Sequence, residues 1–160
     1  MESTRATGAG ALAPAERGAE RLRFLANEVV VHVPGPAVGR AYCLVEFEGP
    51  HDDMPPLHVH RSEDEAFHVL AGRLSVHVGD ESVDLAAGDC LVAPRGTPHT
   101  YRVESDCARW LAVCSPAGFD DFVREVAAAG ADVSPPVLTE TAARYGIEIL
   151  GPPGALPARL

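Results

Sequence analysis

From residue 28 onward the chain alternates apolar and polar positions in short runs. In residues 40–48, Tyr42, Leu44 and Glu46 share one face of an extended strand, and Cys43, Val45 and Phe47 share the other. Comparable runs cover residues 28–33, 57–60, 65–71, 73–78, 82–85, 90–93, 99–104 and 109–114, separated by Gly, Pro and Asp. Many short strands at this spacing predict an all-β sandwich or barrel. Ala71-Gly72-Arg73 and Val78-Gly79-Asp80 read as hairpin turns.

After residue 115 the period changes. Ser115-Pro116 reads as an N-cap followed by proline at the first helical position. Phe119, Phe122, Val123 and Val126 then form a 3.6-period stripe, Asp120, Asp121, Arg124 and Glu125 lie off it, and Gly130 stops the helix. Pro135-Pro136 reads as a rigid break, residues 139–145 as a second helix ended by Gly146, and residues 147–150 as an apolar docking segment. The expected organisation is a flexible tail over residues 1–23, with helical tendency near residues 14–25, then a β-barrel over 24–115. One or two helices and a docking segment over 116–150 follow, and an extended tail over 151–160.

Length and charge narrow the function. A chain of 160 residues suggests one domain with a core of its own. With 13 basic and 23 acidic residues the net charge is −10, which argues against nucleic acid and anionic membranes as partners. Every basic residue is Arg, so chemistry that requires a lysine amine, such as Schiff bases or a Walker A loop, is excluded. None of Cys43, Cys90, Cys107 and Cys114 forms a C-x-x-C pair, and Cys90 and Cys114 sit in apolar runs that predict buried thiols. No apolar segment reads as a signal peptide or a membrane span, and a reducing cytoplasm is the expected setting.

The histidines carry the chemistry. His58 and His60 at i and i+2 on a strand aim two imidazoles at one point, and Glu65 can return on the next strand. His99 follows the turn-rich Pro94-Arg95-Gly96-Thr97-Pro98. Three imidazoles and one carboxylate make a divalent-metal site. Glu63 and Asp64 are neighbouring carboxylates that compete with Glu65 for that role, and strand phase favours Glu65. His51 and His77 read as surface residues, and His68 has the wrong phase to join the group.

Two motifs resemble those of the cupin superfamily. One is His58-Val59-His60, four residues, Glu65, six residues, Gly72. The other is Gly88, five residues, Pro94-Arg95-Gly96, two residues, His99. Val103 stands where the second motif usually has Asn, and Gly49 is nine residues before His58 where six is usual; neither position supplies a ligand. Flanking segments, including Ser-Pro-Ala-Gly-Phe and Tyr-Gly-Ile-Glu-Ile-Leu-Gly-Pro-Pro, look like single-domain cupins of the quercetin-2,3-dioxygenase-like group.

The resemblance implies a small double-stranded β-helix (jelly-roll) barrel and a homodimer. It implies one divalent transition metal (iron, nickel, manganese, cobalt, copper or zinc) on His58, His60, Glu65 and His99. The implied reaction is dioxygenation of a flavonol-like or related phenolic substrate with O2, Glu65 serving also as a general base. Cyclase or isomerase chemistry on a polyketide-like molecule, and small-molecule binding without catalysis, are alternatives with the same ligands. Tyr101, Phe67, Val69, Val92 and Trp110 are the expected substrate-lining residues, Tyr101 because it shares phase with His99 and has a polar tip.

Overall fold

The computed structural model describes residues 19–130 and 132–157, so most of the expected N-terminal tail lies outside the described residues. The strands are β1 (Glu20–Phe24), β2 (Asn27–Val33), β3 (Cys43–Pro50), β4 (Pro56–His60), β5 (Asp64–Ala71), β6 (Arg73–Val78), β7 (Glu81–Ala86), β8 (Cys90–Ala93), β9 (His99–Val103), β10 (Cys107–Ser115) and β11 (Ile147–Pro153). Helices α1 (Phe119–Ala129) and α2 (Pro135–Arg144) fall between β10 and β11. Two antiparallel sheets, ordered β1-β2-β3-β10-β5-β8 and β11-β4-β9-β6-β7, face each other in a jelly-roll barrel.

The period-two pattern explains the sheets. Along β3, Cys43, Val45, Phe47 and Gly49 are buried while Leu44, Glu46 and Glu48 are not. Directly paired residues point to the same face, so the row Cys43, Cys114, Glu65, Ala93 across β3, β10, β5 and β8 looks inward together. Val45, Phe67, Val69, Leu74, Val76, Val103 and Trp110 fill the space between the sheets.

The ordered fold starts earlier than residue 24. Glu20–Phe24 is neither tail nor helix but a strand paired along its whole length with β2. Its apolar end, Phe24, stacks edge-on against Phe47 and Phe122, contacts that a short charged run does not advertise. Ala71-Gly72-Arg73 is not a hairpin but a corner, because β5 and β6 belong to different sheets. Gly72 has φ +77°, and a Cβ there would lie 2.4 Å from the Cys107 carbonyl oxygen. Val78-Gly79-Asp80 does close a hairpin, with Val78 paired to Glu81.

Ser115 does not cap α1. It ends β10 and donates its hydroxyl to the Ala41 carbonyl, and the helix begins after Gly118. Pro135 and Pro136 do not break the chain but form the first turn of α2, where their missing N–H groups cost nothing. The apolar segment after Gly146 is a true strand, β11, which extends the sheet beside β4 and continues through Pro153 into the expected extended tail. Cys114 is buried as expected; Cys90 is exposed, since its side chain takes the outer face of β8.

Helix α1 closes one end of the barrel. It buries Phe119, Phe122, Val123 and Val126, each worth roughly 1.5–3 kcal/mol relative to exposure. Buried Asp120 fastens it: Oδ2 accepts the Gly35 N–H at 3.0 Å and the Arg124 guanidinium at 2.8 Å. Among the described residues no helix is long and apolar enough to cross a membrane.

Candidate metal centre

Three strands from both sheets bring the centre together. His58 and His60 project from β4, His99 opens the neighbouring β9 directly opposite His58, and Glu65 faces them from β5 of the other sheet. The imidazole centroids lie 4.5 to 5.4 Å apart. One donor atom from each of His58, His60, Glu65 and His99 lies within 4.8 Å of the others. Glu65 Oε2 is 3.1 Å from His99 Nε2 and 3.4 Å from His60 Nε2.

Every Nδ1 is engaged away from this point. His58 Nδ1 donates to the Pro56 carbonyl at 2.8 Å, His99 Nδ1 to the Thr97 carbonyl at 2.9 Å, and His60 Nδ1 to Glu63 Oε2 at 3.0 Å. A neutral ring that donates from Nδ1 has a lone pair on Nε2. Three Nε2 atoms and a carboxylate therefore converge in a buried space, with His99 Nε2 and Glu65 Oε2 3.1 Å apart, an arrangement that suits a cation. His60 Nε2 is buried with no hydrogen-bond partner among the described residues. The donor set, its tautomers and this orphaned nitrogen fit a divalent metal ion.

The local electrostatics act in opposite directions on neighbouring donors. Burial and the neighbouring imidazoles push His58 down to about 3. Burial alone would raise Glu65, but the His99 hydrogen bond and the surrounding imidazoles hold it at about 2. Burial works against a charge on His60 as well, yet the Glu63 hydrogen bond and the Glu65 charge push its pKa up.

The three adjacent acids separate cleanly. Glu65 faces the donors. Asp64 points out to Arg95, with Oδ2 2.8 Å from Nη2, and that ion pair holds it near a pKa of about 2. Glu63 does not compete for the centre but orients it: buried behind His60, it also accepts the Phe119 N–H at 2.8 Å through Oε1. Spacing alone gave no sign of this role, because the partner at Phe119 is 56 residues away. His51 is exposed, and His68 and His77 are part-buried outside the cluster.

An apolar chamber of about 60 Å³ opens on His58, His60 and Glu65. Phe47, Phe67, Tyr101 and Trp110 form its barrel side, and Phe24, Leu25, Phe119, Phe122, Leu138, Ile147 and Ile149 close it from β1, the helices and β11. Of the expected lining residues, Phe67, Tyr101 and Trp110 are here. Val69 is not: it points inward but is fully buried deeper in the core, opposite Trp110. Val92 is not either, since Ala93, paired with Glu65, takes the inward position on β8 and leaves Val92 52% exposed on the outside. A wider outer chamber of about 500 Å³ adjoins the first and shares Phe24, Leu25, Pro55, Pro56, Tyr101, Leu138 and Ile149 with it. Asn27 and Asp53, which the motifs do not mark, line this outer space.

Residues 45–114 match the cupin domain family. Quercetin 2,3-dioxygenase of Bacillus subtilis (strain 168) is 36% identical over 90 residues, covering 56% of this chain and 27% of that relative, so the chain spans about a quarter of its length. Among solved structures, KdgF from Halomonas sp. superposes with a TM-score of 0.61 at 18% identity, covering 70% of this chain and 98% of that one. The polyketide cyclase RemF from Streptomyces resistomycificus does so with a TM-score of 0.52 at 23% identity, covering 62% and 74%. Two facing antiparallel sheets, the family match over β3 to β10 and a quercetin dioxygenase relative together support a cupin domain over residues 45–114.

Proposed function

We propose that the protein is a metal-dependent oxygenase of small phenolic molecules, with His58, His60, Glu65 and His99 as the metal ligands. The observation that carries this reading is the convergence of three Nε2 atoms and one carboxylate on the wall of an aromatic chamber. A divalent transition metal held there would acidify a coordinated hydroxyl and, with positions left open by four protein donors, admit O2 beside it. The relation to a quercetin 2,3-dioxygenase supports a flavonol-like substrate.

The chain's own residues do the rest. Phe67, Tyr101, Trp110 and Phe119 supply flat apolar surface for an aromatic ring. The inner chamber alone is far below the roughly 300–1,000 Å³ of small-molecule sites, so a fused-ring ligand reaches into the outer chamber. Closure by Leu25, Phe122, Leu138 and Ile149 keeps water off the reacting atoms. Glu65 lines the chamber beside His60 and His99, where its carboxylate would serve as a ligand and, released from the metal, would take a proton from an acidified hydroxyl bound next to it.

The likeness to a polyketide cyclase favours a second reading, non-redox cyclisation or isomerisation at the same centre. Oxygen separates the two. The metal-loaded protein with a flavonol panel should consume O2 and lose turnover under anaerobiosis. Product formation at an unchanged rate without O2 would establish the non-redox reading instead.

A further inference from the structure

A second polar group lies across the aromatic wall from the metal ligands. Asp53, on the loop between β3 and β4, is pinned by its own backbone: its N–H donates to the Pro50 carbonyl at 3.1 Å and its carbonyl accepts the Val103 N–H at 3.0 Å. Its Oδ2 accepts two hydrogen bonds, from the Tyr101 hydroxyl at 3.1 Å and from Asn27 Nδ2 at 3.0 Å. Asn27 is 2% exposed, and its Oδ1 has no hydrogen-bond partner among the described residues. Gly49 makes room for this cluster, since a Cβ there would lie 2.3 Å from Asn27 Oδ1 and 3.4 Å from Asp53 Oδ2.

The cluster is joined to the metal centre by stacked rings. Tyr101 stands edge-on to Trp110 at 4.9 Å and to Phe67 at 6.3 Å, and Phe67 stands edge-on to His99 at 6.3 Å. Tyr101 lines both chambers, while Asp53 and Asn27 line the outer one. A flat ligand that fills both chambers would therefore meet the metal ligands in the inner one and Asp53 and Asn27 in the outer one. The Tyr101 hydroxyl and one of the two Asn27 N–H groups are spent on Asp53 Oδ2, so what the cluster mainly offers a ligand is acceptors: Asp53 Oδ1 and Asn27 Oδ1. Among the described residues no Arg or Lys lines either chamber. An anion arriving there would meet a carboxylate with no counter-charge.

We propose that Asp53, Tyr101 and Asn27 form a recognition site for a neutral hydroxyl at the end of the ligand far from the metal, so that the protein selects polyhydroxylated aromatics and rejects carboxylates and phosphates. The inference rests on the phenolic reading above and adds the residues that choose among phenols.

The test compares two flavonols on the metal-loaded protein: quercetin, which carries hydroxyls on both outer rings, and 3-hydroxyflavone, which does not. Binding is read from quenching of Trp110, the only tryptophan, which lines the inner chamber. Wild type should bind quercetin about tenfold or more tighter, the value of a hydrogen bond to a charged acceptor. Asp53→Ala should erase most of that preference by weakening quercetin, and Asp53→Asn, which keeps the shape and removes the charged acceptor, should erase a large part of it, with 3-hydroxyflavone as the internal reference. Should Asp53→Ala fail to fold by circular dichroism, Asp53→Asn decides. Equal affinities in wild type, or a preference that survives in the folded variants, would overturn the recognition site and leave the phenolic reading standing. No quenching by either flavonol would overturn the phenolic reading and the site with it.

Discussion

Glu63 holds His60 from behind: Oε2 takes the Nδ1 proton at 3.0 Å while Oε1 takes the first backbone N–H of α1, that of Phe119, at 2.8 Å. One carboxylate thus sets a ligand's tautomer and caps a helix whose preceding residue, Gly118, has no side chain to do so. Gly118 is small for the same reason, since a Cβ would lie 2.9 Å from Glu63 Oε1.

Glu63→Gln removes one of the two acceptors whichever way the amide turns. If its oxygen stays on Phe119, the NH₂ faces His60 Nδ1 and drives the proton to Nε2, where it blocks coordination. If its oxygen faces His60, the helix N–H meets a donor. The variant should bind metal about 10–100-fold more weakly, as changes to a carboxylate that holds a ligating histidine typically do. Competition with a calibrated chelator checks this, and unchanged affinity would remove Glu63 from the centre.

Metal loading should stabilise the fold, because the four donors come from β4, β5 and β9 and cannot converge in the unfolded chain. Free metal at a hundredfold over its dissociation constant adds about 2.7 kcal/mol. Thermal melts with added metal or with dipicolinate should differ accordingly in wild type and coincide in His60→Ala. A metal-dependent shift that persists in His60→Ala would place the ion elsewhere.

Gly72→Ala should be among the most damaging single-methyl additions. The new Cβ would meet the Cys107 carbonyl at 2.4 Å and the Ser105 hydroxyl at 2.5 Å, on a backbone with φ +77°. Overpacking and left-handed strain together predict a loss of ~2–4 kcal/mol. Denaturant midpoints at constant slope give the value.

Asp120 gives a pH signature. Burial raises its pKa, but the Gly35 N–H and Arg124 win and hold it below the usual carboxylate value. A depressed folded pKa means that its stabilisation is complete above the unfolded carboxylate value near ~4 and is lost as pH falls through the lower, folded one. Asp120→Asn should therefore cost stability at neutral pH, by ~3 kcal/mol for a broken buried pair, and the gap to wild type should close in acid. A gap independent of pH would assign the loss to packing.

The strands were legible where burial is one-sided. Cys43, Val45 and Phe47 against Leu44, Glu46 and Glu48 give an unambiguous period of two, and the registers of β4, β5 and β9 follow from the same rule. The four donor residues were legible too, because a strand puts His58 and His60 on one side. What escaped depends on contacts distant in sequence. Glu20–Phe24 looks like charged tail until β2 pairs with it, and Ser115 looks like a cap until Ala41 takes its hydroxyl. Val92 is as apolar as Ala93, and only the pairing with Glu65 shows which of them points inward. Glu63 and Asp64 are adjacent and chemically near-identical, and only their opposite facing, toward His60 and out to Arg95, tells them apart.

The residues that close the inner chamber come from outside the stretch shared with the family. Phe24, Leu25, Phe119, Phe122, Leu138, Ile147 and Ile149 all precede residue 45 or follow residue 114, while the four metal donors lie between those limits. The four candidate donors and the outer wrapping of the inner chamber are thus carried by separate passages of the chain, while its barrel side, Phe47, Phe67, Tyr101 and Trp110, travels with the donors. A lineage can exchange the wrapping segments and acquire a new substrate while its donor set stays fixed. An engineer can therefore vary β1, α1, α2 and β11 as a library around an untouched centre.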